Sequence, residues 1–237
     1  MTDIENPFLA ALIMLLSFDA DMIEIIGLSL VVSLTAVFIS AVVGMPLGAA
    51  LALYKPPLRR AMIITLNAAM GLPPVVVGLV VYLWLSRSGP LGLLELLYTP
   101  TAMVIAQTIL ILPIIAALTR QVIEDLWRDY REQLTSFNVS RHKALITLLW
   151  EARFSMATTV LAGFGRASAE VGAVMIVGGN IDHYTRVMTT SIALETSKGN
   201  LTLALGLGIV LLLISLSINA VVFMVEERAK DRQALRI

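Results

Sequence analysis

The 237-residue sequence has no cysteine and only two histidines, His142 and His183. A disulfide framework, a thiolate metal site and a cysteine nucleophile are therefore excluded. Charge is scarce as well. Asp, Glu, Lys and Arg make up 14% of the residues, against about 25% in an ordinary soluble domain. The 17 basic and 17 acidic residues cancel to a formal charge of zero, which removes the bulk attraction that draws basic chains to nucleic acid. There is no Gly-x-x-x-x-Gly-Lys-Ser/Thr phosphate loop, no His-Glu-x-x-His and no Gly-x-Ser-x-Gly, so neither a nucleotide-binding ATPase site nor an intramembrane hydrolase is encoded by those motifs. Hydrophobic residues, by contrast, make up 58%. The composition is that of an all-α polytopic membrane protein with a single membrane domain.

Charge-free runs locate the spans. Residues 28–54, 61–86, 96–119 and 200–225 each hold 24 to 27 residues without Asp, Glu, Lys, Arg or His, and about 20 suffice to cross the hydrocarbon as a helix. A fifth span is expected at 145–178, interrupted by Glu151, Arg153, Arg166 and Glu170. An earlier apolar run at 6–18 has 13 residues, too few to span upright, and reads as an interfacial helix within an external segment 1–27. Asp3 and Glu5 stand where a signal peptide would carry basic residues. The membrane domain is thus expected at 28–225, with a long loop at 120–144 and a tail at 226–237.

Basic residues sort by side. Lys55, Arg59 and Arg60 follow the first span, Arg120, Arg128, Arg131, Arg141 and Lys143 follow the third, and Arg228, Lys230, Arg232 and Arg236 end the chain. The opposite side has only Arg87, Arg186 and Lys198. The bias places the 12-residue side in the cytoplasm, with the N-terminus outside and the C-terminus inside. With acidic residues included, the external face carries −5 and the cytoplasmic face +5.

The loop at 120–144 is too long for a simple connection. Ile123, Leu126, Trp127, Tyr130 and Leu134 recur at steps of three and four, so the third span is expected to continue as an amphipathic helix. Asn138 suits a left-handed helix end, and Ser140 suits the N-cap of a following helix. Helix, sharp turn and short helix make a docking element, with a solvated connector as the plain alternative. Within the bilayer, Gly71-Leu-Pro73-Pro74 should kink or unwind the second span, as a gate or as a packing kink. Arg166 and Glu170, four apart, are expected on one face of one helix, either as a structural ion pair or with Arg166 lending positive potential to an anion path. Gln107 and Thr108 suit a pathway lining or interhelical hydrogen bonds. Glu151 and Arg153 are expected at the interface, Gly178-Gly179-Asn180 at the end of the fourth span, and an external short helix at 187–195.

Glu132-Gln-Leu-Thr-Ser-Phe-Asn138-Val-Ser-Arg141 resembles the EAA loop of ABC-importer permeases. Glu132, Ser140 and Arg141 match, while Asn138 replaces the family's glycine, Gln133-Leu134 its two alanines, and Trp150 a common proline. Leu161-Ala-Gly-Phe-Gly-Arg166-Ala-Ser-Ala-Glu170-Val-Gly-Ala-Val-Met-Ile-Val-Gly178-Gly-Asn180-Ile, Gly71-Leu-Pro-Pro-Val-Val-Val-Gly78-Leu and Arg87-Ser-Gly-Pro-Leu-Gly are similar to the molybdate/sulfate/tungstate permease group. The fourth-span run and Leu149-Trp-Glu151-Ala-Arg153 are most similar to its tungstate-specific members. The resemblance implies a type I ABC-importer permease fold with about five transmembrane helices and a cytoplasmic coupling helix. It also implies import of an oxyanion, with tungstate first and molybdate or sulfate as alternatives, by a non-catalytic subunit of the cytoplasmic membrane. The implied partners are a second copy of the chain, two ATPase subunits that hold ATP and Mg, and an external oxyanion-binding protein. Glu132, Asn138, Val139, Ser140, Arg141, His142 and Lys143 would couple to the ATPase. Gly71, Pro73, Pro74, Gln107, Arg166 and Glu170 are the candidates for the translocation pathway. A passive channel or secondary transporter is the remote alternative.

Overall fold

A computed structural model describes residues 20–54 and 56–234. Among the described residues there are nine α-helices, one 3₁₀ turn and no strand. The helices are α1 (Ala20–Leu53), α2 (Arg59–Met70), α3 (Pro74–Leu85), α4 (Pro100–Ser136), α5 (Arg141–Glu151), α6 (Arg153–Ser168), α7 (Gly172–Gly178), α8 (Met188–Lys198) and α9 (Leu201–Ala234), with the 3₁₀ turn at Gly92–Leu94. Among the described residues, three helices are long and apolar enough to cross a membrane: α1, α4 and the Leu201–Met224 part of α9. The number rises to five if α2 with α3, and α5 with α6, each make one broken span. The all-α class expected from composition is the class observed.

Helix length separates embedded from projecting segments. At about 1.5 Å per residue, the 37 residues of α4 reach roughly 55 Å, well beyond about 30 Å of hydrocarbon. Its charges begin at Arg120, so the surplus is the amphipathic extension expected from the periodicity of Ile123 to Leu134. At the other end of the chain, α1 already runs from Ala20, so residues 20–27 are helical and continuous with the helix of the first span. Asp21 lies in its first turn, where the helix dipole favours a carboxylate, and a charge count alone hides such a start. The backbone of α9 likewise continues to Ala234, through most of the expected tail. The interfacial helix expected at 6–18 lies outside the described residues.

The chain forms two compact units, to both of which α1, α4 and α9 contribute. In the unit built from described residues up to Ala36, Pro73–Gln107 and Ala167–Ser217, Met22, Ile25, Met188 and Leu207 form a buried cluster. In the same unit α3 lies directly on α7. A Cβ on Gly78 would stand 2.7 Å from the Ala173 Cα, so this approach requires glycine. Ser29 Oγ accepts from the Met188 amide at 2.7 Å and fixes the start of α8.

In the unit built from Val37–Leu72, Thr108–Arg166 and the chain from Ile218, the core is Ala49, Leu53, Ile123, Leu148, Ala152 and Met156, drawn from α1, α4, α5 and α6. A Cβ on Gly48 would meet the Ala116 carbonyl oxygen at 2.2 Å, so α1 and α4 touch backbone to backbone there. The turn into α2 is fastened by Arg59, whose Nε donates to the Leu51 carbonyl at 2.9 Å and whose Nη2 pairs with Glu124. Arg120 Nη1 takes the other oxygen of Glu124 at 2.6 Å.

The fourth span departs from the single helix expected at 145–178. The chain instead makes α5, α6 and α7, broken at Ala152 and again over residues 169–171. Glu170 therefore does not share a helix with Arg166, which sits in the last turn of α6. The reason is local: the Glu170 carboxylate accepts from the Ala173 amide at 3.0 Å and so satisfies the start of a new helix in place of a continued ladder.

Candidate functional site: a coupling elbow and the broken spans

The end of α4 is closed by backbone bonds that local sequence specifies. Asn138 adopts φ +52°, its amide donates to Thr135 O at 3.0 Å, and the Val139 amide donates to Leu134 O at 3.0 Å. This six-to-one and five-to-two pair is a Schellman closure, with asparagine supplying the left-handed residue usually given by glycine. Ser140 then starts α5 as its N-cap, its Oγ accepting from the Lys143 amide at 3.5 Å. Helix, sharp turn and short helix are present as the spacing predicts.

The elbow has one face held and one face free. Ala144 and Leu148 on α5 are buried in the unit's core, with Trp127, Leu134, Leu145 and Leu149 packed around it. Arg141, His142 and Lys143 are exposed, Val139 is half-buried, and Glu132 is exposed on the last turns of α4. Three large apolar side chains of the elbow are exposed: Phe137, just past the end of α4, at 80%, and Trp150 and Ile146, four apart on α5, at 71% and 55%. Sequence reasoning missed all three as a set, although Trp150 stands out as the residue replacing a common proline. The core contacts mean that a force on the free face reaches α4, α1 and α6 through packed side chains.

Beyond Glu151 the axis turns by 73° into α6 without glycine or proline. Ala152 donates to Leu148 O at 2.8 Å, and Met156 donates to Ala152 O at 2.8 Å. Arg153 completes the corner. Its Nη1 donates to Trp150 O at 2.9 Å, and its guanidinium lies 4.5 Å from the Phe154 ring centroid and 5.3 Å from that of Trp150. Glu151 and Arg153 thus flank a helix junction instead of lying on one helix.

The break expected at Gly71-Leu-Pro73-Pro74 is observed. α2 ends at Met70, the Gly71 amide closes on Ala68 O at 3.1 Å, Pro73 is extended, and Pro74 is the first residue of α3. Gln107 and Glu170 meet at one backbone group. Gln107 Nε2 and the Glu170 amide both donate to Ala167 O, each at 3.2 Å. Both side chains are buried, and Gln107 Oε1 has no hydrogen-bond partner among the described residues. The hub carbonyl of Ala167 could not be found from sequence, because an alanine inside an apolar run carries no signal.

After α7, Gly179 at φ +71° and Asn180 at φ +49° end the helix where the sequence places its end. Thr190 Oγ1 donates to Asn180 Oδ1 at 2.8 Å, which ties that turn to α8, the external helix expected at 187–195. Glu195 accepts from Lys198 and Asn200 at 2.9 Å each, and these bonds, Lys198 first, hold its carboxyl below the usual range. His183 Nδ1 lies 2.9 Å from Glu24 Oε2.

Comparison with known proteins agrees with this architecture. The family model for the inner membrane component of binding-protein-dependent transport systems matches residues 44–231. The tungstate uptake system permease protein TupB of Peptoclostridium acidaminophilum is 43% identical over 227 residues, which cover 96% of this chain and 100% of that protein. A Haloferax volcanii protein named "Probable anion ABC transporter permease protein" is 38% identical, covering 89% of this chain and 93% of its own length. TupB of Campylobacter jejuni is 37% identical, covering 90% of each chain. A family match over most of the sequence, near full-length relatives and broken apolar helices together show that the chain belongs to the binding-protein-dependent transport system inner membrane components, the membrane-embedded permeases of ABC uptake systems.

Proposed function

We propose that the chain is the permease subunit of a tungstate importer and works as a pair with a second copy of itself. Two ATP-binding-cassette subunits supply ATP and Mg, and an external oxyanion-binding protein delivers the anion. The names of the relatives support tungstate over molybdate or sulfate. The 12 basic residues on one side support a cytoplasmic elbow, an external N-terminus and an internal C-terminus.

The observation that carries the reading is the two-faced α5. Its inner face, Ala144 and Leu148, is locked into the core, while Arg141, His142, Lys143, Ile146 and Trp150 are free to enter a groove on the ATPase. Asn138, Val139 and Ser140 set the angle of the lever, and Glu132 borders it. ATP binding moves α5, and the shared core passes that motion to α4 and α6. The anion path is built near the breaks, with Gly71, Pro73 and Pro74 at one, Gln107 and Glu170 at the other, and Arg166 adding positive potential.

Vesicles that hold the chain with its ATPase and binding protein test this directly. ATP-dependent uptake of tungstate should be inhibited more strongly by unlabelled tungstate than by equal molybdate or sulfate. Uptake that persists without ATP would reject the importer reading. Arg141→Glu should lower ATPase association and uptake together by about tenfold, which corresponds to about 1.4 kcal/mol of docking free energy. If both were unchanged, the docking assignment would be wrong. Arg166→Gln should reduce uptake while assembly stays intact, and unchanged uptake rejects its path role.

A further inference from the structure

The segment between α3 and α4 carries three exposed leucines on a tightly built turn. Leu93 is 98% exposed, and Leu91 and Leu94 beside it are exposed too. The turn is not a loose tether. Leu91 donates to Trp84 O at 2.9 Å and Gly89 to Ser86 O at 2.7 Å, and a Cβ on Gly89 would stand 2.1 Å from Leu83 O. At its far end Tyr98, in the left-handed region at φ +61°, donates to Val177 O at 2.9 Å and sets its ring edge-on to Tyr82. A rigid turn that displays leucines to water on all sides would be a standing liability.

What lies next to the turn identifies its occupant. Val75, Val76, Leu79, Val80 and Leu83 form one exposed apolar stripe along α3, and the stripe ends at the exposed Trp84. The carbonyls of Leu83 and Trp84 are the groups against which the turn folds back, so the leucines continue that stripe past the helix end. Tryptophan and tyrosine concentrate where a span leaves the hydrocarbon, and Trp84, Tyr82 and Tyr98 mark that level here. Residues 88–94 carry no charge. We infer that the turn at Gly92–Leu94 is a leucine anchor inserted into the lipid interface of the leaflet at this end of α3. It rests only on the chain spanning a bilayer, and it stands or falls separately from the identity of the transported anion.

The absence of cysteine makes the test direct. Leu93→Cys, labelled with an environment-sensitive fluorophore in the full chain, is reconstituted in phosphatidylcholine vesicles, with Ser197→Cys on the exposed end of α8 as the reference. Nitroxide lipids labelled high on the acyl chain should quench the probe at 93 at least about threefold more than the probe at 197, and aqueous iodide should show the reverse order. Leu94→Cys supplies a second reading should the first variant assemble poorly. Equal iodide quenching at both positions would overturn the inference. So would shielding of position 93 from lipid and iodide alike, because a second copy or the binding protein would then be its cover.

Discussion

The break between α2 and α3 and the breaks on either side of α6 interrupt helices by different means. At Gly71-Leu-Pro73-Pro74 the backbone itself cannot continue: Pro74 has no amide to donate, and Pro73 restricts the residue before it. At Ala152, and at residues 169–171, the local sequence is able to stay helical, and side chains hold the chain out of the helix. Arg153 satisfies the Trp150 carbonyl and stacks on two rings, while Glu170 caps Ala173 and Gln107 joins it at Ala167 O. A covalent break is permanent. A break held by side chains depends on bonds that a single substitution can remove, so the two kinds of break can be told apart by mutation.

The contrast can be broken most forcefully at Glu170. Glu170→Ala leaves the buried Ala173 amide without an acceptor, a loss of about 1–3 kcal/mol. The melting temperature of the solubilised chain should fall by several degrees, and Glu170→Gln, which keeps an acceptor oxygen, should restore most of the loss. Unchanged melting in Glu170→Ala would show that the cap does not hold the break. A smaller effect is expected from Arg153→Met, which removes the exposed bond to Trp150 O and the cation–π contacts of one guanidinium, about 0.5–1 kcal/mol in all at an exposed site. Spin labels on α5 and α6 should then report a broader distance distribution around the 73° corner, whereas an unaltered distribution would assign the corner to packing alone. Pro74→Ala should cost less than either, about 0.4–1 kcal/mol through the unfolded chain, because the first position of α3 needs no amide donor. A loss as large as that of Glu170→Ala would erase the distinction.

The same contrast explains what could be read from sequence. Local rules located the elbow: Asn138 and Ser140 are end signals within four residues of each other, and the Ile123 to Leu134 repeat needs no distant partner. The proline break was legible for the same reason. The fourth span was misread because Ala169-Glu170-Val171 is compatible with a helix: the Glu170 cap on the Ala173 amide is local but leaves no mark in an apolar run, and the supporting Gln107 bond to Ala167 O links residues 60 positions apart. Spacing alone put Arg166 and Glu170 on one face, and a single buried cap moved Glu170 off that helix. The Arg59 pair with Glu124 was hidden likewise, whereas the Arg120 partner of Glu124 is visible as an i,i+4 spacing. Glycines at close approaches, such as Gly48, were uninformative until the facing helix was known.

A side-chain clasp differs from a proline in one more respect, because it can be titrated. His183, in the turn after α7, is bonded to Glu24 on α1, with Asp182 and Asp21 adding negative potential and Arg186 pairing with Asp182. The Glu24 bond, then the Asp182 charge, raises the His183 pKa above its ordinary value of about 6.5. The raised value fixes the sign: the clasp is complete below about pH 6.5, where the imidazole is charged, and is lost as pH rises through the higher folded value. Both side chains are well exposed, so salt screens the pair and its effect is the smallest of those considered. Hydrogen exchange of the Thr185 and Arg186 amides, both bonded to Ile181 O, should be slower at pH 6 than at pH 8.5 after correction for intrinsic rates. His183→Gln should remove that difference while leaving amides around Pro74 unaffected at either pH. If the wild-type turn showed no pH dependence, or if the Pro74 region showed the same one, the His183–Glu24 clasp would not be what holds that turn.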